Sequence, residues 1–205
     1  MSGSISYLFY AIDKPLKKSQ QAAVAKLSRR AFPTGRRVEF VYHVDGYDIP
    51  GGYEKLMALY YDVMVRQDYE QWTLGMSMPS NPQLYEKLSG FRCNDGEGSG
   101  IQVQLLDEQR QGSDWLLLEI TAYIDYEIVE KIQGLRPLPW ERAAEDEEEE
   151  DYEDEGDYGY GSGGVSNFDE RLAQLTNCIR EDVQRGDYRA LYLAWDRLHV
   201  LDDNP

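Results

Sequence analysis

The residues with the best claim to chemistry are His43, Asp45 and Asp48, in the run His43-Val-Asp-Gly-Tyr-Asp48. A histidine at the C-terminal end of a strand, oriented by a nearby aspartate, is the arrangement of a general acid–base pair. No obvious nucleophile or second catalytic motif accompanies it. A lone histidine at a strand exit is structural more often than catalytic. The reading preferred from the residues is therefore non-catalytic, with a small enzyme built on His43, Asp45 and Asp48 as the alternative.

Other motifs resemble sites without completing them. Asp151-x-Glu-x-Glu-Gly-Asp157 partly mimics a calcium loop. Such a loop also needs an apolar residue two places beyond the glycine and a glutamate at its twelfth position, where this chain has Tyr158 and Ser162. Gly96–Gly100 and Gly159–Gly164 are glycine-rich, but they sit among acids that would repel a phosphate. They read as loop tips or linkers. Cys93 and Cys178 lie far apart, and with two histidines in the chain they build no zinc cluster. They read as reduced thiols. Arg185-Gly186-Asp187 spells an adhesion tripeptide, yet its place between two helical patterns makes it a capping turn. No catalytic, cofactor-binding or metal-ligating residue is assigned.

Charge is distributed unevenly. The chain of 205 residues carries −17 overall. Glu141–Asp157 holds twelve acids against one arginine, and Lys14–Arg37 holds eight Lys or Arg and no acid. A second alternative follows from that basic stretch: contact with nucleic acid through Lys17, Lys18, Arg29, Arg30, Arg36 and Arg37. The strongly negative net charge argues against it, and Lys17, Lys18, Lys26, Arg29 and Arg30 equally suit a solvated helix face. The acidic run could instead lie on the basic pole Lys14–Arg37 and shield it. The preferred function is that of a protein-interaction or accessory subunit using an acidic flexible segment, with a protein partner.

No stretch approaches the ~20 apolar residues of a membrane span. The apolar run Ile5–Ile12 has no basic region before it and is too short for a leader. The expectation is a soluble, cytoplasmic protein.

These residues need elements to position them. Ile5–Ile12 reads as a buried strand and Gln20–Arg30 as a helix capped by Ser19. Arg37–His43 alternates as a half-buried strand. Leu56, Leu59, Tyr60, Val63 and Met64 share one face of a helix over Tyr53–Gln67. Gln71–Met78 is a third strand. Asn81-Pro82 opens a short helix to Leu88. Ile101–Leu106 and Trp115–Ala122 are the arms of a hairpin, and Tyr123–Gln133 continues as a helix. Residues 1–136 are thus expected to form an α/β (α+β) layered domain of about five strands with helices. Residues 137–164 are an acidic, Gly- and Tyr-rich linker with too little apolar surface to offset ordering entropy. Residues 165–201 are a C-terminal helical hairpin, with Phe168, Leu172, Leu175, Ile179 and Val183 at helical spacing and Gly186 at the joint.

Tyr7-Leu-Phe-Tyr-Ala-Ile-Asp-Lys-Pro-Leu16, Leu27-Ser-Arg29 and Arg185-Gly-Asp-Tyr-Arg-Ala-Leu-Tyr-Leu-Ala-Trp195 carry a resemblance. The chain resembles a family of uncharacterised bacterial proteins with a Tyr/Phe-rich first strand, an "AIDRPL"-like turn and an "RGDLRALYLAW"-like closing helix. The resemblance is best at the two ends. It implies an architecture and a bacterial setting, and it transfers no site.

Overall fold

The strand β1 (Ser4–Tyr10) is buried along Tyr7-Leu-Phe-Tyr10, with Tyr7 and Phe9 in one apolar cluster and Leu8 and Tyr10 in another. A strand buried on both faces needs cover on both faces. The rest of the chain supplies it. The computed structural model describes residues 4–43, 49–69, 71–96, 98–110, 112–124, 126–138 and 167–199.

After β1 come α1 (Lys18–Ala25), β2 (Arg37–His43), α2 (Tyr53–Leu59), β3 (Val63–Asp68), β4 (Gln71–Pro79) and α3 (Pro82–Ser89). Then follow β5 (Cys93–Asn94), β6 (Gly100–Arg110), β7 (Ser113–Tyr123), α4 (Tyr126–Lys131), α5 (Asn167–Gln184) and α6 (Arg189–His199). The fold is mixed α+β. Seven strands form one sheet in the order β2-β1-β3-β4-β7-β6-β5, and every pairing is antiparallel.

Two strands exceed the expected five. The first is β3, expected as the second half of a helix over Tyr53–Gln67. Leu56, Leu59, Tyr60, Val63 and Met64 satisfy a helical period, but Val63-Met-Val65 is also a short apolar run, and periodicity cannot separate the two. The helix stops because the N–H groups of Tyr60 and Tyr61 both bond to the Leu56 carbonyl, at 2.9 and 3.1 Å. The Asp62 N–H then crosses to the Tyr10 carbonyl at 2.8 Å, which starts the β1–β3 ladder. The second is β5, two residues long and beyond the reach of any pattern. It can lie against Gly100 because that residue lacks a Cβ, which would sit 2.3 Å from the Cys93 carbonyl oxygen.

The first helix is also shorter than expected. It spans Lys18–Ala25 with Lys17 rather than Ser19 at its cap, and the Lys17 N–H donates to Gln20 Oε1 at 2.8 Å. Only Val24 of this helix is buried, so little packing extends it towards Arg30. The cap of α3 forms as read: Asn81 Oδ1 accepts from the Leu84 N–H at 2.9 Å, with Pro82 at the first helical position.

The helices divide between the faces of the sheet. Leu56, Met57 and Tyr61 from the α2 region, with Val24 of α1, cover Tyr7, Phe9, Phe40, Met64 and Leu117. On the other face Phe168 and Leu172 of α5 pack on Leu8, Val65, Trp72 and Leu74. Val183, Leu191 and Leu198 join Met76, Ile101, Leu116 and Leu118 further along the same face. The C-terminal helices therefore build a shared core with the sheet. Phe168 sets its ring edge-on to Trp72, with centroids 4.9 Å apart. Such pairs contribute about 0.5–1.5 kcal/mol beyond area burial. Their joint closes as a Schellman turn: Asp187 N–H bonds to the Asp182 carbonyl at 2.8 Å and Gly186 N–H to Val183 at 3.0 Å. Gly186 has φ +80°, the left-handed conformation such a turn requires.

Among the described residues no helix is long and apolar enough to cross a membrane.

Candidate functional site

Strand register places a polar cluster on the α2 face of the sheet. Arg66 lies opposite Tyr7 and Thr73, and Thr73 lies opposite Thr121. Glu119 lies opposite Gly75 on one side and Gln102 on the other. One row nearer the apolar core, Met64 folds across Gly75, where a Cβ would meet the Met64 methyl at 2.8 Å. The boundary between the apolar and polar halves of this face therefore passes through Gly75. The short helix α2 covers the apolar half. Gly51 and Gly52, at φ +86° and +81°, turn the chain so that α2 begins over the polar half. Its first residue, Tyr53, donates its hydroxyl to Glu119 Oε1 at 2.9 Å.

These side chains enclose a cavity of about 170 Å³. Glu119 is 5% exposed within an otherwise apolar strand segment. Burial pushes its carboxyl above the usual range and the Glu54 charge adds to this, while the Tyr53 hydrogen bond and Arg66 oppose it. Burial, followed by the Glu119 charge, likewise raises the Tyr53 phenol. Arg66 Nη2 is bonded to Asp68 Oδ2 at 2.6 Å, and the guanidinium lies 5.6 Å from the Tyr7 ring centroid. Arg66 Nε is buried and makes no hydrogen bond among the described residues. Chemically, the cluster is one desolvated carboxyl, one neutralised guanidinium and several uncharged donors and acceptors. That set suits recognition of a small polar group.

A second polar cluster reaches from the surface at Asp13 into the interior. Asp62 is fully buried, and its Oδ2 accepts the N–H groups of Ile12 and Asp13 at 2.7 and 2.9 Å. Its Oδ1 accepts from Arg110 Nη1 at 2.7 Å, and Arg180 Nη2 stands 4.0 Å away. Arg180, 1% exposed, reaches from α5 with Nε on the Ser77 carbonyl at 2.7 Å and a bidentate grip on Asp13 at 3.1 and 2.7 Å. Trp115 covers Arg110, whose Cζ is 4.5 Å from the ring centroid. With every member engaged and Asp13 at its solvent edge, this cluster joins the segments next to β1 and β3 to β4, β6 and α5. Its role is structural.

A third feature is apolar and open. A groove of about 560 Å³ runs between the end of α3 and the α5–α6 joint, lined by Phe91, Tyr188, Tyr192 and Leu193 together with Lys87, Asp187 and Arg189. Phe91 stacks on Tyr188 at 6.2 Å. Tyr192 and Leu193 are 56% and 65% exposed, adjacent in sequence and both at this groove.

The residues singled out in the sequence are placed differently. His43 ends β2, paired in register with Ser4. Asp45 and Asp48 lie outside the described residues, as do the acidic run from Glu141 and the calcium-like Asp151–Asp157. Within the basic stretch Lys14, Lys17, Lys18, Lys26, Arg29 and Arg30 are exposed. Arg36 is half-buried and donates Nη1 to the Ala11 and Ile12 carbonyls at 3.0 and 2.9 Å, and Arg37 pairs with Glu39 at 3.6 Å. Two of the six cations suggested for nucleic acid are thus engaged within the fold. Arg185-Gly186-Asp187 is the Schellman joint. Of the glycine-rich loops, Gly98 borders the polar cavity. Cys93 and Cys178 form no disulfide among the described residues, and both are half-buried. Among the described residues no group of three or more His, Cys, Asp or Glu could hold a metal ion.

Glu119, Arg66, Tyr53, Asp62 and Arg180 were not singled out in the sequence. A signal existed for three of them. Glu119 interrupts the apolar Trp115-Leu-Leu-Leu, and Asp62 interrupts Tyr60-Tyr and Val63-Met-Val. Arg180 falls on the helical spacing of Leu172, Thr176 and Val183. A charge at a core position marks a buried partner.

Comparison of the chain with protein-family models, with curated proteins and with solved structures found no match.

Proposed function

We propose that this protein is a non-catalytic interaction or accessory subunit that docks a protein partner in the groove between α3 and the α5–α6 joint. The observation that carries this reading is the exposed pair Tyr192 and Leu193 beside Phe91 and Tyr188. Single exposed apolar residues are ordinary, whereas large ones gathered at a concave surface mark contact sites. Aromatic anchors in such grooves dominate many interfaces. The partner is a basic protein presenting an apolar anchor. Its charge follows from the chain's −17, most of it in Glu141–Asp157, which attracts a basic surface over distance while the groove holds it.

The test compares retention of basic proteins from a lysate of the source organism on three baits: the wild-type chain, Tyr192→Ser/Leu193→Ser, and Phe32→Ser. Phe32 is 83% exposed and lies away from the groove-lining residues, so it serves as the control. A basic partner kept by wild type and Phe32→Ser but lost by the double variant supports the reading. Equal retention on all three baits, or a wild-type chain whose groove is filled by a second copy in light scattering, overturns it.

A further inference from the structure

The polar cavity on the opposite face of the sheet has no part in that docking surface and poses a separate question. We propose that it is a binding site for a small organic cation, a guanidinium or primary ammonium head group. Size sets the first limit. At about 170 Å³ the cavity is smaller than the ~300–1,000 Å³ of pockets for drug-sized ligands. A head group of a few heavy atoms fits; a nucleotide does not.

Charge sets the sign. Arg66 is the cavity's cation, and Asp68 neutralises it at 2.6 Å. Glu119 is left with a neutral partner, the Tyr53 hydroxyl. Arg66, paired to Asp68, compensates Glu119 only in part. On α2 the neighbouring Glu54 adds negative charge, and the residues facing Glu119 from β4 and β6 are the uncharged Gly75 and Gln102. A buried carboxylate without a counter-ion is costly, and an entering cation removes that cost. A carboxylate or phosphate ligand could reach the unbonded Arg66 Nε, but it would stand among Glu119 and Asp68, two carboxylates against one guanidinium.

The remaining groups match N–H donors. Thr73 and Thr121 share a hydrogen bond at 3.1 Å and keep acceptor lone pairs, and the Gln102 carboxamide stands beside Glu119 in register. Tyr53 also lines the cavity and brings an aromatic ring of the kind cations favour. The natural source is either a free amine or guanidine, or a Lys or Arg side chain of a peptide.

Calorimetry with n-propylguanidinium, propylammonium and propionate tests the site, alongside an end-blocked Gly-Arg-Gly peptide. Wild type should bind a cation saturably and propionate not at all. Glu119→Gln preserves shape and the acceptor for Tyr53 while deleting the charge, and should weaken the cation at least about tenfold, as loss of a charge-assisted hydrogen bond implies. Glu119→Gln combined with Asp68→Asn leaves Arg66 as the cavity's one charge and should reverse the preference towards propionate. A reversal is a gain that misfolding cannot imitate. Tighter binding of the peptide than of propylguanidinium indicates a side-chain source, and the opposite order a free small molecule. No saturable cation binding to wild type, or equal binding by Glu119→Gln, overturns the proposal. The groove variants Tyr192→Ser/Leu193→Ser should bind the cation normally, so failure of one proposal leaves the other standing.

Discussion

Replacing Arg180 by alanine removes a buried side chain that ties α5 to the centre of the sheet through charge. Three losses follow. The Ser77 carbonyl, bonded by Arg180 Nε at 2.7 Å, is left without that donor, and an unsatisfied buried acceptor costs about 1–3 kcal/mol. Two methylenes leave a packed site, at about 0.8 kcal/mol each. Asp62, fully buried, keeps Arg110 at 2.7 Å but loses the second cation 4.0 Å away. Together these place Arg180→Ala at about 3–5 kcal/mol, the range for breaking a buried ion pair. In a chain of this size that lowers Tm by roughly 10 °C. Asp13→Asn provides the contrast. The Asp13 side chain is 42% exposed, so water can replace much of what it loses, and the expected cost is at most about 1 kcal/mol. Urea denaturation at pH 7 of wild type and both variants measures the difference. Should Arg180→Ala cost under about 1 kcal/mol, or Asp13→Asn cost as much as Arg180→Ala, the account of a fully engaged cluster is wrong.

Two further perturbations address the cavity and the helix joint. Burial raises the Glu119 carboxyl in the folded state, so its contribution to stability is fully present below the ordinary glutamate range and is lost as pH rises through the raised folded value. Glu119→Gln should therefore gain in Tm over wild type between pH 4 and pH 7, and parallel Tm–pH curves would contradict the desolvation argument. Glu39, also raised by burial, leaves both proteins with a residual slope in the same direction. Gly186→Ala forces a Cβ into φ +80° and should cost about 1–2 kcal/mol in urea denaturation, although nothing lies within 4 Å of the added atom. No loss there would mean that the turn tolerates another conformation.

Local pattern made much of the fold readable. The alternation of Val38, Phe40 and Tyr42 places β2, and Asn81-Pro82 places the start of α3. Gly186 places the α5–α6 joint. Each depends on neighbours a few residues away, which a single sequence contains. Pattern failed where two local readings were equally good. Tyr53–Gln67 satisfies a helical period throughout, and the change to strand at Val63 is made by the Asp62 N–H bonding to Tyr10, 52 residues earlier in the chain. The candidate sites divide the same way. Exposure of Tyr192 and Leu193 is not encoded in the amphipathic pattern of α6, because it depends on how far α3 and the joint extend over that helix.

By itself the sequence determined the uneven charge, the apolar β1 and the capping residues. It also determined the presence of acids inside apolar strands, at Asp62 and Glu119. Those last two were visible as anomalies without partners. Tertiary structure alone decided what each of them meets. Arg180 reaches Asp13 across 167 positions and Tyr53 reaches Glu119 across 66. Those separations reflect a physical difference: helix and strand periods arise from bonds between near neighbours, whereas a buried charge is compensated by whichever group the sheet order brings alongside. Packing of the helices on the sheet put Glu119 beside a neutral tyrosine and Asp62 among arginines. One acid therefore became a candidate binding group and the other part of the core.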